Sequence, residues 1–140
     1  MLISYTENDV DMLARIMRAE AQNEGDLGML MVGNVVVNRV LANCYTFKNI
    51  RSIYDAIYQK NQFIGVNSSL YQASATEYEK QLARRILQGE YYYPATNALW
   101  FYAPSKGASC KSVWYDQKLA GRYKNHCFYK PDQGICASLY

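Results

Sequence analysis

The chain has one histidine, no Cys-x-x-Cys pair, no run of like charges and no apolar stretch of bilayer length, and each shortage removes a class of function. One histidine, His126, is a poor start for a catalytic zinc site, which needs several His, Cys or carboxylate ligands and an open position. No D-x-D-x-D-G loop is present to hold calcium. Fifteen Lys and Arg against twelve Asp and Glu leave a net charge of only +3, and the basic residues are scattered, so a nucleic-acid partner is not indicated. The longest apolar-rich run, Leu27 to Leu41, is interrupted by Asn34, Asn38 and Arg39 and is too short to span a membrane. The opening MLISYTENDVD lacks the basic and apolar regions of a secretory signal. No internal repeat, low-complexity tract or linker divides the 140 residues, and the expectation is one domain over 1–140.

Four cysteines are present: Cys44, Cys110, Cys127 and Cys136. Four permit three disulfide pairings, among which the sequence does not choose, and disulfides or buried thiols are favoured over a metal site built on His126 and Cys127.

The stretch from Asp9 to Leu41 organises the rest. At 100° per residue, Val10, Met12, Leu13, Ile16 and Met17 form one apolar stripe of a first helix, with Asp11, Arg15, Arg18 and Gln22 opposite. Glu20 falls within the stripe, and Glu24 follows at i+4. An unpaired carboxylate taken out of water costs several kcal/mol or keeps its proton. Desolvation raises its pKa toward neutrality, which is what a general acid for a leaving oxygen requires. Position alone supports a second reading equally, in which Glu20 caps the helix end or pairs with Arg39.

Asn8 or Asp9 is expected to cap this helix, Gly25 to close it as a left-handed residue and Asp26 to cap the next. The second helix is apolar nearly all round and therefore central, so Asn34, Asn38 and Arg39 need partners within the protein. A third helix is expected over roughly Ile50 to Tyr58, with Ile53, Tyr54 and Ile57 inward. An amide-rich loop follows, with Gln59, Asn61 and Gln62 near Phe63, a composition suited to sugar hydroxyls. A further helix is expected from Ala73 to Gln88, closed by Gly89. From Glu90 on, aromatic and β-forming residues between Pro94, Pro104 and Gly107 read as short strands. Rings with polar edges, Trp100 and Tyr102 among them, serve as sugar platforms as readily as they fill a core. His126 is more often a structural hydrogen-bonder than a catalyst, with a proton-transfer role left open by its ordinary pKa.

The motifs RAEAQNEG (18–25), VGNVVVNRV (32–40), IYQKNQF (57–63), ALWFY (98–102) and KNHCFY (124–129) together resemble the SleB/CwlJ family of spore cortex-lytic cell-wall hydrolases, and the CwlJ branch most. The resemblance implies an α+β, lysozyme-like fold with a helical lobe, a small irregular β lobe and a glycan cleft between them. It implies that Glu20, in the family's A-E-A motif, is the catalytic residue. The substrate would be cortex peptidoglycan bearing muramic δ-lactam, cut between muramic acid and N-acetylglucosamine by a lytic transglycosylase with a single glutamate as acid and base.

Substrate contacts are expected from Glu24, Asn38, Arg39, Gln59, Gln62, Phe63, Trp100, Tyr102 and His126. Competing readings are a muramidase using a second carboxylate, about 5–5.5 Å away for retention or 6.5–9.5 Å for inversion, an amidase cutting the peptide stem, and a glycan-binding coat protein without catalysis. The resemblance further implies residence in the spore coat or at its boundary with the cortex, a coat-protein partner, no resident cofactor and activation by calcium dipicolinate.

Overall fold

The computed structural model describes residues 3–60 and 62–140; Asn61 of the amide-rich loop lies outside them. Helix α1 spans Glu7–Ala21 and α2 spans Gly25–Leu41, joined by a single 3₁₀ turn, Gln22–Glu24. The short helices α3, Ile53–Tyr58, and α4, Ser69–Gln72, flank a 3₁₀ turn at Ile64–Asn67, and α5 spans Glu77–Leu87. Four strands follow: β1 Trp100–Tyr102, β2 Val113–Trp114, β3 Gln117–Tyr123 and β4 His126–Lys130. They form one antiparallel sheet in the order β1-β4-β3-β2.

Helix α1 begins earlier than the sequence pattern indicated. Thr6 is its cap: its hydroxyl accepts the Asp9 N–H at 3.2 Å while Asp9 accepts the Thr6 N–H at 2.9 Å, so a reciprocal box, and not Asn8 or Asp9 alone, satisfies the first amides. Thr76 and Glu79 repeat the device at α5, which starts at Glu77 and not at Ala73 because the extended Thr76 breaks the run. Gly25 has the expected positive φ of +79° but opens α2 and does not close α1, because the 3₁₀ turn intervenes. Asp26 accepts the Tyr78 hydroxyl and makes no cap bond. Helix α3 starts at Ile53, with Ser52 as its cap. Tyr54 is turned outward, 56% exposed, while Ile53 and Ile57 point in.

Helix α2 is rich in β-branched valine, which lowers intrinsic helix propensity. It is helical because burial outweighs that cost: Val32, Val35 and Val36 are fully enclosed and Met31 nearly so, each such side chain contributing about 1.5–3 kcal/mol on leaving water. One side of α2 packs on Val10, Leu13, Ile16 and Met17 of α1 and on Leu82 and Ile86 of α5. Its other side, through Met31 and Val35, meets Ala95, Ala98 and Phe128 of the sheet half. Its polar residues grip the return segment by the main chain. Asn34 donates to Glu90 O and accepts Tyr92 N–H, while Asn38 Nδ2 lies 2.9–3.1 Å from the carbonyls of Ala95, Thr96 and Ala98.

The cysteines pair Cys44 with Cys136 and Cys110 with Cys127. The first bond ties the tail to the segment after α2, beside Phe47 and Leu99. The second ties the loop after β1 to β4.

Candidate functional site

Glu20 sits on the last turn of α1, half-buried, where the stripe that packs α1 into the core reaches the surface. It makes no salt bridge among the described residues, although the Arg39 charge is near enough to act on it. Its far side is main chain: a Cβ added at Gly65 would lie 2.5 Å from Glu20 Oε2 and 3.1 Å from Cδ. A side chain at Gly65 would therefore displace the carboxyl from under the 3₁₀ turn after Phe63. Burial pushes the Glu20 pKa up, and the Arg39 guanidinium opposes part of that rise.

Arg39 is 3% exposed and lies over two rings, its guanidinium carbon 4.8 Å from the centre of Phe47 and 4.6 Å from that of Phe63. Its Nε donates to Leu99 O at 2.8 Å, and its Nη1 has no hydrogen-bond partner. Burial lowers its pKa to about 9, a shift the Glu20 charge reduces, so it is a cation at neutral pH.

Glu20 opens on a recess of about 210 Å³ whose wall includes Gln22, Asn23, Leu70, Asn125 and His126. A second recess, about 330 Å³, is lined by Arg39, Gln62, Trp100, Phe101, Trp114, Tyr115 and Gln117. The two adjoin through Phe101, whose ring centre is 5.0 Å from that of His126. Arg18 holds the near bank. Its guanidinium reaches the carbonyls of Leu70, Ala73 and Ser74 and pairs with Glu79 at 2.7 Å, fastening the segment that carries Gly65 and α4 to α1.

The residues expected to meet substrate separate into two groups. Arg39, Gln62 and Trp100 line the second recess, and Glu24 and His126 the first. Glu24, however, is 4% exposed, and its carboxylate accepts the Asn125 N–H at 2.7 Å, so it is already bound by protein donors. Asn38 lines neither recess: its amide is committed to three carbonyls and it borders a different hollow, with Thr96 and Tyr140. Gln59 donates to Thr46 O and borders another hollow beside Lys60 and Asn67. Phe63 is 4% exposed and serves as a lid on Arg39, not as an open platform. Tyr102 lines neither recess; it stacks on Tyr129 at 5.7 Å and accepts the Lys111 N–H. The sequence pattern did not reveal Gly65, Trp114, Tyr115, Gln117 and Asn125, whose proximity arises only across the fold. A glycine beside Phe63, in an otherwise bulky QFIGV, was the one signal that could have marked the close approach.

The Cell Wall Hydrolase family model matches residues 23–129. The chain belongs to that family. This cell wall hydrolase is 45% identical over 140 residues to cell wall hydrolase CwlJ of Oceanobacillus iheyensis, covering 99% of this chain and 98% of that one. It is 42% identical to CwlJ of Bacillus subtilis over 139 residues, covering 99% and 96%. Its fold is similar to the catalytic domain of the germination-specific lytic transglycosylase SleB of Bacillus anthracis, with a TM-score of 0.71 at 24% identity, covering 93% of this chain and 100% of that one. The architecture of this cell wall hydrolase is thus lysozyme-like, with helices on one side and a small curled sheet on the other. Glu20 precedes the span that the family model matches.

Proposed function

We propose that this cell wall hydrolase cuts the glycan of spore cortex peptidoglycan between muramic acid and N-acetylglucosamine, with Glu20 as proton donor, and that it acts as a lytic transglycosylase. The names of its relatives supply the substrate class. The observation that supports the reaction is that Glu20 stands half-buried and unpaired over a recess whose other carboxylate, Glu24, is bound by the Asn125 amide.

A protonated Glu20 gives its proton to the glycosidic oxygen as the C1–O bond breaks. The Glu20 carboxylate left behind then takes the proton of the muramic C6 hydroxyl as that oxygen closes on C1, giving a 1,6-anhydro end without a water or a second carboxylate. A muramidase would need a free carboxylate opposite Glu20, and Glu24 is not free. In the second recess Trp100, Trp114 and Tyr115 offer faces for the C–H side of a pyranose, with Gln62 and Gln117 as amide partners for its hydroxyls.

The test is purified enzyme on isolated cortex, with the released muropeptides identified by mass spectrometry. Anhydro ends are expected from the native chain and a loss of about 10²–10⁴-fold or more from Glu20→Gln. Reducing ends would make it a hydrolase, free peptide stems an amidase, and equal digestion by Glu20→Gln would remove Glu20 from the chemistry.

A further inference from the structure

Arg39 carries its charge at neutral pH, yet no acidic side chain bonds it among the described residues. Its Nε donates to the neutral Leu99 carbonyl, Nη1 is sealed from water with no acceptor, and Nη2 donates to no described residue. Phe47 and Phe63 cover the guanidinium without neutralising it. The guanidinium end is also the part that borders the second recess. Its carbon lies over Phe63 and its Nε is bonded at Leu99, and their chain neighbours Gln62 and Trp100 are walls of that recess. A desolvated cation left unpaired is costly, and a ligand that supplies the missing anion recovers that cost. Nothing in the wall repels such a ligand: Gln62, Trp100, Phe101, Trp114, Tyr115 and Gln117 bring no negative charge, and both glutamines have N–H donors. Asp116 is exposed on the turn between β2 and β3 and does not line the recess. Past Glu90 the chain holds six Lys and Arg against Asp116 and Asp132, so the field on this half is positive.

Resting on the glycan-cutting reading above, we propose that the second recess is a carboxylate subsite, in which Arg39 takes the free carboxylate of a peptide stem while Trp100, Trp114 and Tyr115 hold the muramic acid that carries it. A guanidinium edge presents parallel N–H donors to the two oxygens of a carboxylate. An N-acetyl group offers one oxygen and no charge, so it would satisfy a bond and leave the buried cation unpaired. Arg39 is thus a specificity residue. It distinguishes a muramic acid bearing an acidic stem from the N-acetylglucosamine beside it. Because the two recesses adjoin at Phe101, that choice sets the register in which the strand lies past Glu20. No proton moves at Arg39, and Glu20 keeps both the acid and the base role.

Trp100 and Trp114 are the only tryptophans in the chain and both line this recess, so intrinsic fluorescence reports its filling directly. The native chain is titrated with N-acetylmuramoyl-alanine, whose alanine carboxylate is free, and with its methylamide, which has the same sugar and no charge. The acid is expected to bind about 10–100-fold more tightly, the scale of a charged hydrogen-bonded contact. In Arg39→Met that preference should disappear. In Arg39→Lys, which keeps the charge without the fork, it should fall to an intermediate value. On cortex fragments, methylamidation of the stem carboxylates should raise KM for the native enzyme by a similar factor and leave kcat nearly unchanged. If Arg39→Met does not fold, the two native titrations decide. Equal affinities overturn the proposal, as does a fluorescence that neither compound changes. A folded Arg39→Met that keeps the preference also overturns it, and assigns the preference to the general positive field. The fluorescence needs no turnover, so a native chain that releases no anhydro ends overturns the transglycosylase reading alone, and the subsite stands or falls on its own titrations.

Discussion

A half-buried carboxyl group with main chain against one side carries two opposite consequences of pH. Because the folded pKa of Glu20 is raised above its unfolded value, its contribution to stability is fully present below the unfolded pKa and is lost as pH rises through the folded one. Activity that needs the protonated acid declines over the same interval. Glu20→Gln is therefore expected to be as stable as the native chain near pH 4 and more stable at neutral pH, by a few degrees in Tm at most, while being inactive. Thermal unfolding at the two pH values checks this, and a variant less stable at pH 7 would contradict the burial argument. Gly65→Ala probes the same wall from the other side. A Cβ 2.5 Å from Oε2 must displace the carboxyl, and kcat is expected to fall on the order of 10²-fold, the scale of a 1 Å misplacement. Glu20 was legible because a carboxylate on an apolar stripe is an anomaly that a single helix reveals. Gly65, Trp114 and Asn125 were not, because no one-dimensional period connects them to it.

The helices show what local pattern decides and what it leaves to packing. Periodicity located α1, α2 and α5, but the starts of α1 and α5 were displaced toward threonines whose partners lie three residues on, Thr6 with Asp9 and Thr76 with Glu79. Loss of the Thr76 hydroxyl in Thr76→Ala should cost about 1 kcal/mol, read by denaturant unfolding. Arg18→Ala is a larger lesion. It strips the Leu70, Ala73 and Ser74 carbonyls of their donor and leaves Glu79 without its buried partner, which should cost about 3–5 kcal/mol. Hydrogen exchange is expected to show residues 64–76 losing protection first, with kcat falling as Gly65 loosens over Glu20. Uniform loss of protection across α1 and α2 would mean that Arg18 serves the core and not this segment. The need of α2 for internal polar partners was readable in its composition. That Asn38 would commit its amide to carbonyls 57 to 60 residues away, and not to a ligand, was not.

Across the whole molecule the two disulfides differ in reach. Cys44 and Cys136 are separated by 92 positions, Cys110 and Cys127 by 17. Loop-closure entropy gives about 4–5 kcal/mol for the longer loop and about 3 for the shorter, so the Cys44→Ala, Cys136→Ala pair should lower Tm more than the Cys110→Ala, Cys127→Ala pair. The reverse order would show that β4 and not the tail governs global unfolding. Helices followed by aromatic strands announced a mixed architecture, whereas the pairing of four cysteines depends on which loops the finished fold brings within bonding distance. The joint between helices and sheet depends on something else again. Asn34 and Asn38 bind peptide groups at residues 90–98, never the side chains there, so this hinge line is blind to most of the letters written along it. Chimaeras that take residues 1–89 from this chain and the remainder from a relative should therefore assemble without redesign of the main-chain seam, provided the remainder keeps partners of matching size for Met31 and Val35 and a cysteine for Cys44.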